Sequence, residues 1–189
     1  GFYNIVSRYA STSSGYLNLT LDGYPLSDNI TLYNTGSYSN FVNKFTPDVY
    51  LSEGIHKLKI RMVTGGYNLT NLTFDLSDET PDFSIEYAEA QEDESTILLL
   101  MNHPLDLNQE LNSSYFEVNV NSESIEISDI EFDEENPQVI LISLEDSFSF
   151  LDDITVSFFQ ENEIQSTLNN YLSVFSDFPV YNNITERIL

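Results

Sequence analysis

The chain has 189 residues, 31 of them Asp or Glu against six Lys or Arg, for a formal charge of −25, and it contains no Cys. Disulfides and thiolate chemistry are therefore excluded, and a structural zinc would have only His56 and His103 to draw on beside carboxylates. A field of this sign repels nucleic acid and anionic membranes, and no apolar run approaches the roughly 18 residues of a membrane helix.

The charge is unevenly spread. Residues 1–77 hold Asp22, Asp28, Asp48, Glu53 and Asp75 against Arg8, Lys44, Lys57, Lys59 and Arg61, so the whole net charge falls in 78–189, where Arg187 is the only base. An asymmetry this sharp predicts two domains, 1–77 and 78–182, divided at Ser77-Asp78-Glu79-Thr80-Pro81-Asp82. Residues 183–189 then read as a linker toward a further module. No charged-then-apolar secretory segment opens the chain, so an extracellular protein would take its signal from outside it. Asn-x-Ser/Thr sequons at Asn18, Asn29, Asn68, Asn71, Asn112 and Asn183 carry little weight in a composition this rich in Asn, Ser and Thr.

In chain order the hydrophobic pattern has period two nearly throughout. Tyr16–Asp22 sets Leu17, Leu19 and Leu21 on one face and Asn18 and Thr20 on the other, and Asp22-Gly23 is a turn signal. His56–Val63 alternates Leu58, Ile60 and Met62 with Lys57, Lys59 and Arg61. Those bases form a row that reads as the solvated face of a sheet, with attraction of anionic sugars as the alternative. Beyond the boundary, strands are predicted at Phe83–Ala90, Thr96–Met101, Tyr115–Asn121, Ser124–Phe132, Gln138–Leu144 and Asp153–Phe159, with Phe175–Asn182 as the closing segment. Six or seven short strands in about 100 residues suggest an immunoglobulin-like sandwich.

Three segments of the first half carry a resemblance: Arg8-Tyr9-Ala10-Ser11, Thr35-Gly36-Ser37-Tyr38 and Gly65-Gly66-Tyr67-Asn68-Leu69-Thr70-Asn71-Leu72-Thr73-Phe74-Asp75. In this order they resemble the C-terminal two thirds of a family 6 carbohydrate-binding module, with family 35 the weaker match. The second half is similar to Ig-like modules of secreted bacterial glycanases, through Ile97–Leu105, Phe116–Val120 and Phe175–Asn182. The fold expected is all-β, a truncated jelly-roll sandwich lacking its N-terminal strands followed by an Ig-like sandwich. The protein is expected to be secreted or at the cell surface, a fragment of a longer multimodular chain covalently linked to neighbouring modules.

Sugar recognition combines an aromatic ring packed on the C–H face of a pyranose with amides or carboxylates bonded to its hydroxyls. The resemblance places Tyr38 where the family usually has a stacking Trp, and Asn68 at the family's binding Asn. Phe41 and Tyr67 are expected to pack beneath the cleft, and Arg8 to form a structural salt bridge or hydrogen bond. Asp75 matches a position where relatives place an oxygen ligand for a structural calcium. Calcium takes six to eight oxygens, so that site is expected to be incomplete in this chain. The implied partner is a polysaccharide of β-glucan, xylan or galactan type.

Catalysis has less support. A glycosidase needs two carboxylates at a set separation across a cleft. Here Glu92-Asp93-Glu94 and Asp133-Glu134-Glu135 read as solvated turns lacking the calcium-loop pattern, and no Gly-x-Ser-x-Gly or phosphate loop occurs. The chain is therefore expected not to be an enzyme, although the parent protein could carry a glycoside hydrolase. The competing reading is a surface adhesin or structural spacer built of β-sandwiches.

Overall fold

A computed structural model describes residues 1–26 and 29–184. Among the described residues the regular secondary structure is strand apart from one 3-10 turn at Ser113–Tyr115, and the chain divides into two compact units, Gly1–Pro81 and Asp82–Leu189. Among the described residues no helix is long and apolar enough to cross a membrane.

Unit 1 contains β1 (Phe2–Ser11), β2 (Gly15–Leu21), β3 (Tyr24–Pro25), β4 (Ile30–Leu32), β5 (Val42–Tyr50), β6 (Leu58–Thr64) and β7 (Tyr67–Leu76). One antiparallel sheet has the order β5-β1-β7; in the other, β2 is flanked by β3 and β4 along one side and by β6 along the other. Alternation decides which side chains meet between the sheets. Ile5 and Tyr9 from β1 and Val49 from β5 meet Leu17 and Leu19 from β2 and Ile30 and Leu32 from the β4 segment. Leu17 and Leu19 are wholly buried, and burying such a side chain contributes about 1.5–3 kcal/mol. Pro47 lies in β5, an edge strand, where a missing N–H removes no central ladder bond.

Unit 2 contains β8 (Ile85–Ala90), β9 (Thr96–Met101), β10 (Phe116–Val120), β11 (Glu123–Ile125), β12 (Ile127–Phe132), β13 (Val139–Leu144), β14 (Ile154–Phe158) and β15 (Phe175–Val180). Its two antiparallel sheets have the orders β12-β13-β9-β8 and β11-β10-β14-β15. Leaving aside β11 as an added edge strand and lettering the others in chain order gives sheets ABED and CFG, the strand order of an immunoglobulin-type sandwich. One core joins the sheets: Ile97, Leu99, Ile140 and Ile142 face Val118, Val156 and Phe158.

Two expectations need correction. Ser124–Phe132 is not one strand, because the chain changes sheet at Glu126. β11 pairs with β10 while β12 pairs with β13, so Ile125 and Ile127 both reach the core from different layers. Nor is all of 183–189 a linker, since Asn183 Nδ2 donates to Glu89 Oε1 at 2.8 Å and Ile184 packs on the unit 2 core. Residues 185–189, with Arg187, lie outside the described residues.

Candidate functional site

The three segments singled out in unit 1 are far apart in sequence, and Ser11 draws them together. Ser11 ends β1 and is 1% exposed. Its backbone N–H donates to Thr35 Oγ1 at 2.9 Å, and Thr35 N–H donates back to the Ser11 carbonyl at 2.8 Å. Ser11 Oγ lies 2.7 Å from the Gly66 carbonyl and 2.6 Å from that of Ser13. A buried hydroxyl at such a junction must be satisfied, so these bonds tie the Thr35–Tyr38 loop and the Gly65-Gly66 turn to one strand end.

Close backbone approach tightens the junction. Gly65 has φ +82°, and its Cβ, if present, would lie 3.0 Å from Gly15 Cα; a Cβ on Gly15 would meet the Thr64 carbonyl oxygen at 2.2 Å. Two glycines are thus required back to back where β6 turns into β7. Next to them the Tyr38 hydroxyl lies near Gly66, 3.4 Å from where a Cβ would stand.

Tyr38 and Asn68 meet at this junction. Asn68 Nδ2 donates to the Tyr38 carbonyl at 3.1 Å, fixing the loop that carries the ring. Asn40 Nδ2 secures the same loop by donating to the Thr35 carbonyl at 2.6 Å. The Tyr38 ring is 46% exposed. Asn68 keeps its carbonyl oxygen and second N–H for other partners. An exposed ring held beside an amide is chemically able to stack on a sugar face and bond a neighbouring hydroxyl.

The neighbouring residues take different roles. Among the described residues Arg8 has no salt bridge: Nη1 donates to Asn43 Oδ1 at a long 3.4 Å, and the guanidinium stands 5.8 Å from the centre of the half-buried Phe41 ring. Tyr67 packs against the unit 1 core, and burial raises its phenol above the ordinary value of 10.0. Asp75 lies opposite Asn4 on an exposed stretch of β7. Among the described residues no group of three or more His, Asp or Glu gathers there or elsewhere. Lys57, Lys59 and Arg61 are exposed, as a solvated face requires.

One cluster was not foreseen in the sequence. His56 Nδ1 lies 2.6 Å from Asp22 Oδ2, and His56 Nε2 lies 3.2 Å from Ser52 Oγ. This order of groups suggests a nucleophile relay, but Nε2 also lies 3.1 Å from the Ser52 carbonyl, which can only accept. The Asp22 hydrogen bond, followed by that carbonyl, raises the imidazole above its ordinary 6.5. In its protonated form the ring donates through both nitrogens and cannot take a proton from Ser52, and in that form the cluster is an ionic clip between the Asp22-Gly23 turn and the 52–57 loop. Asp22 Oδ1 completes it by accepting from Lys57 N–H at 2.6 Å.

A concavity of about 350 Å³ lies in unit 2 between residues 110–115 and β12; Glu110, Tyr115 and Asp129 line it. No protein-family model matches the chain, and no curated protein matches it. Among solved structures it is similar to the N-terminal part of the bacterial S-layer protein SbsC, with 14% identity and a TM-score of 0.45 over 54% of this chain and 24% of that one. A likeness at that level carries no argument about function.

Proposed function

We propose that unit 1 binds polysaccharide without cleaving it, through the Tyr38 ring and the Asn68 amide, and that unit 2 spaces it from neighbouring modules of a secreted or surface protein. The observation that supports this is the convergence of Thr35–Tyr38 and Gly65–Asn68 on Ser11, which leaves an aromatic ring exposed beside an amide with bonding capacity to spare. Such a surface raises the concentration of an attached enzyme near an insoluble substrate, because the second encounter becomes intramolecular. The ligand class is a neutral β-linked glycan of glucan, xylan or galactan type, and the parent protein is of glycoside hydrolase type.

Affinity electrophoresis of the whole chain through gels containing β-glucan, xylan or agar tests this reading. One gel should retard the parent chain and Tyr38→Phe, while Tyr38→Ala should run unretarded because the stacking surface is gone. If all three polymers leave the parent's mobility unchanged, the spacer or adhesin role takes its place.

A further inference from the structure

β6 marks a side on which unit 1 is open. It bonds to β2 along one edge and to no described strand along the other. Its register sets Ile60 and Met62 beside Leu19 and Leu17 on the inward face. Yet Ile60 and Met62 are 45% and 50% exposed, whereas Leu17 and Leu19 are fully buried. The other sheet shows the same pattern at its edge. β7 sets Phe74 beside the buried Ile5 and Leu76 beside Tyr3, and Phe74 and Leu76 are 38% and 66% exposed. Apolar residues on the inward faces of both edge strands therefore stand in water, forgoing the burial that stabilises their neighbours. On the opposite face Lys57, Lys59 and Arg61 are exposed, and none of them forms an ion pair among the described residues.

We propose that the free edge of β6 takes up an extended strand of another polypeptide in which apolar residues alternate with Asp or Glu. A strand paired to β6 must place alternate side chains on the same two faces. Its inward residues would extend the row of Ile60 and Met62 over the core. Its outward residues would stand beside the three cations, where carboxylates attract and a second row of bases repels. The unpaired N–H and C=O groups of an edge strand supply the template for this addition. A second copy of this chain is a poorer occupant, because each copy carries a charge of −25 and the copies repel.

A strictly alternating labelled peptide, Ser-Ile-Glu-Ile-Glu-Ile-Asp-Ile-Ser, places every carboxylate on one face and every isoleucine on the other and is a suitable probe. Its control carries Lys at each acidic position. Both are titrated by fluorescence anisotropy with the whole chain at about 0.15 M salt, where a screening length of about 8 Å confines the interaction to adjacent side chains. The acidic probe should bind about tenfold tighter than the basic one and slow amide exchange within residues 58–64. Reversing the charges with Lys59→Glu and Arg61→Glu should invert the preference; both side chains are exposed, and an unchanged thermal melt verifies the fold. Equal binding of the two probes, protection confined to other strands, or a charge-reversed variant that binds the acidic probe as well as the parent does would each overturn the proposal. So would self-association of the parent without peptide that the variant loses, since a second copy would then occupy the edge.

Discussion

Asp22 and His56 couple two loops of unit 1 to pH. Asp22 is held below its ordinary 3.8, first by the hydrogen bond to His56 and then by the Lys57 N–H, while His56 is raised above 6.5, first by Asp22. For the histidine, the raised folded value means that its stabilisation is fully present below 6.5 and is lost as pH rises through that folded value. For the aspartate, the lowered folded value means that stabilisation is present above 3.8 and is lost as pH falls through it. The clip therefore contributes most between those limits. Melts of His56→Ala and the parent should differ most near pH 5 and converge above neutrality; a constant difference across that range would show that His56 acts by packing alone. Gly15 makes a stronger demand. Gly15→Ala drives a methyl into the Thr64 carbonyl and should cost about 1–3 kcal/mol with loss of any glycan retention, whereas Gly23→Ala, at φ +105° in open space, should cost about 1 kcal/mol and leave retention intact. Urea titration of the two variants measures the contrast. Tyr38 and Asn68 could be proposed from the sequence because each lies in a short recognisable segment. Ser11 could not, since its partners Thr35 and Gly66 lie 24 and 55 positions away and only folding reveals them.

At the scale of elements, period-two alternation together with Ile, Val, Leu and Phe enrichment located nearly every strand of unit 2, although β9 is buried from Ile97 to Met101 and does not alternate. It did not reveal the change of sheet at Glu126, since alternation continues across the bend while the hydrogen-bonding partner changes. It also suggested that Ile60 and Met62 belong to a core, when what leaves them exposed is that no described strand pairs along the outer edge of β6. Residues 159–174 show the reverse case: little regular structure, yet Ile164 and Leu172 are almost wholly buried. That segment is held by Gln109, whose Nε2 donates to the Gln165 carbonyl at 2.8 Å and whose Oε1 accepts from Gln165 N–H at 2.7 Å. Gln109→Leu would leave the Gln165 N–H without that partner, while its carbonyl keeps the Asp106 N–H at 3.0 Å, and should lower stability by about 1–3 kcal/mol. Calorimetry that found no change would mean water replaces both bonds. Amide exchange should be slowest in β9 and β13, the paired central strands of their sheet, and much faster in β6.

For the whole molecule, the net charge and the proposed recognition site belong to different units. With 26 carboxylates and one base, residues 78–189 repel themselves at neutral pH, and salt screens that repulsion over a length of about 10 Å at 0.1 M. The unit 2 transition should therefore rise with added NaCl, and CaCl₂ at matched ionic strength should give the same Tm, because neither Glu92-Asp93-Glu94 nor Asp133-Glu134-Glu135 follows the calcium-loop pattern. A Tm that falls with NaCl would contradict the argument from net charge, and a higher Tm in calcium would reveal a specific site. Unit 1, with equal numbers of acids and bases in residues 1–77, presents a surface on which a neutral glycan meets no such field. The central claim is that this unit recognises glycan through Tyr38 and Asn68. It is tested most directly by isothermal titration of the whole chain with a soluble oligosaccharide of whichever polymer retards it, alongside Tyr38→Ala and Asn68→Ala. Saturable binding by the parent that both substitutions abolish, with each variant's thermal melt close to the parent's, is the predicted result; parent affinity retained in both variants would contradict it.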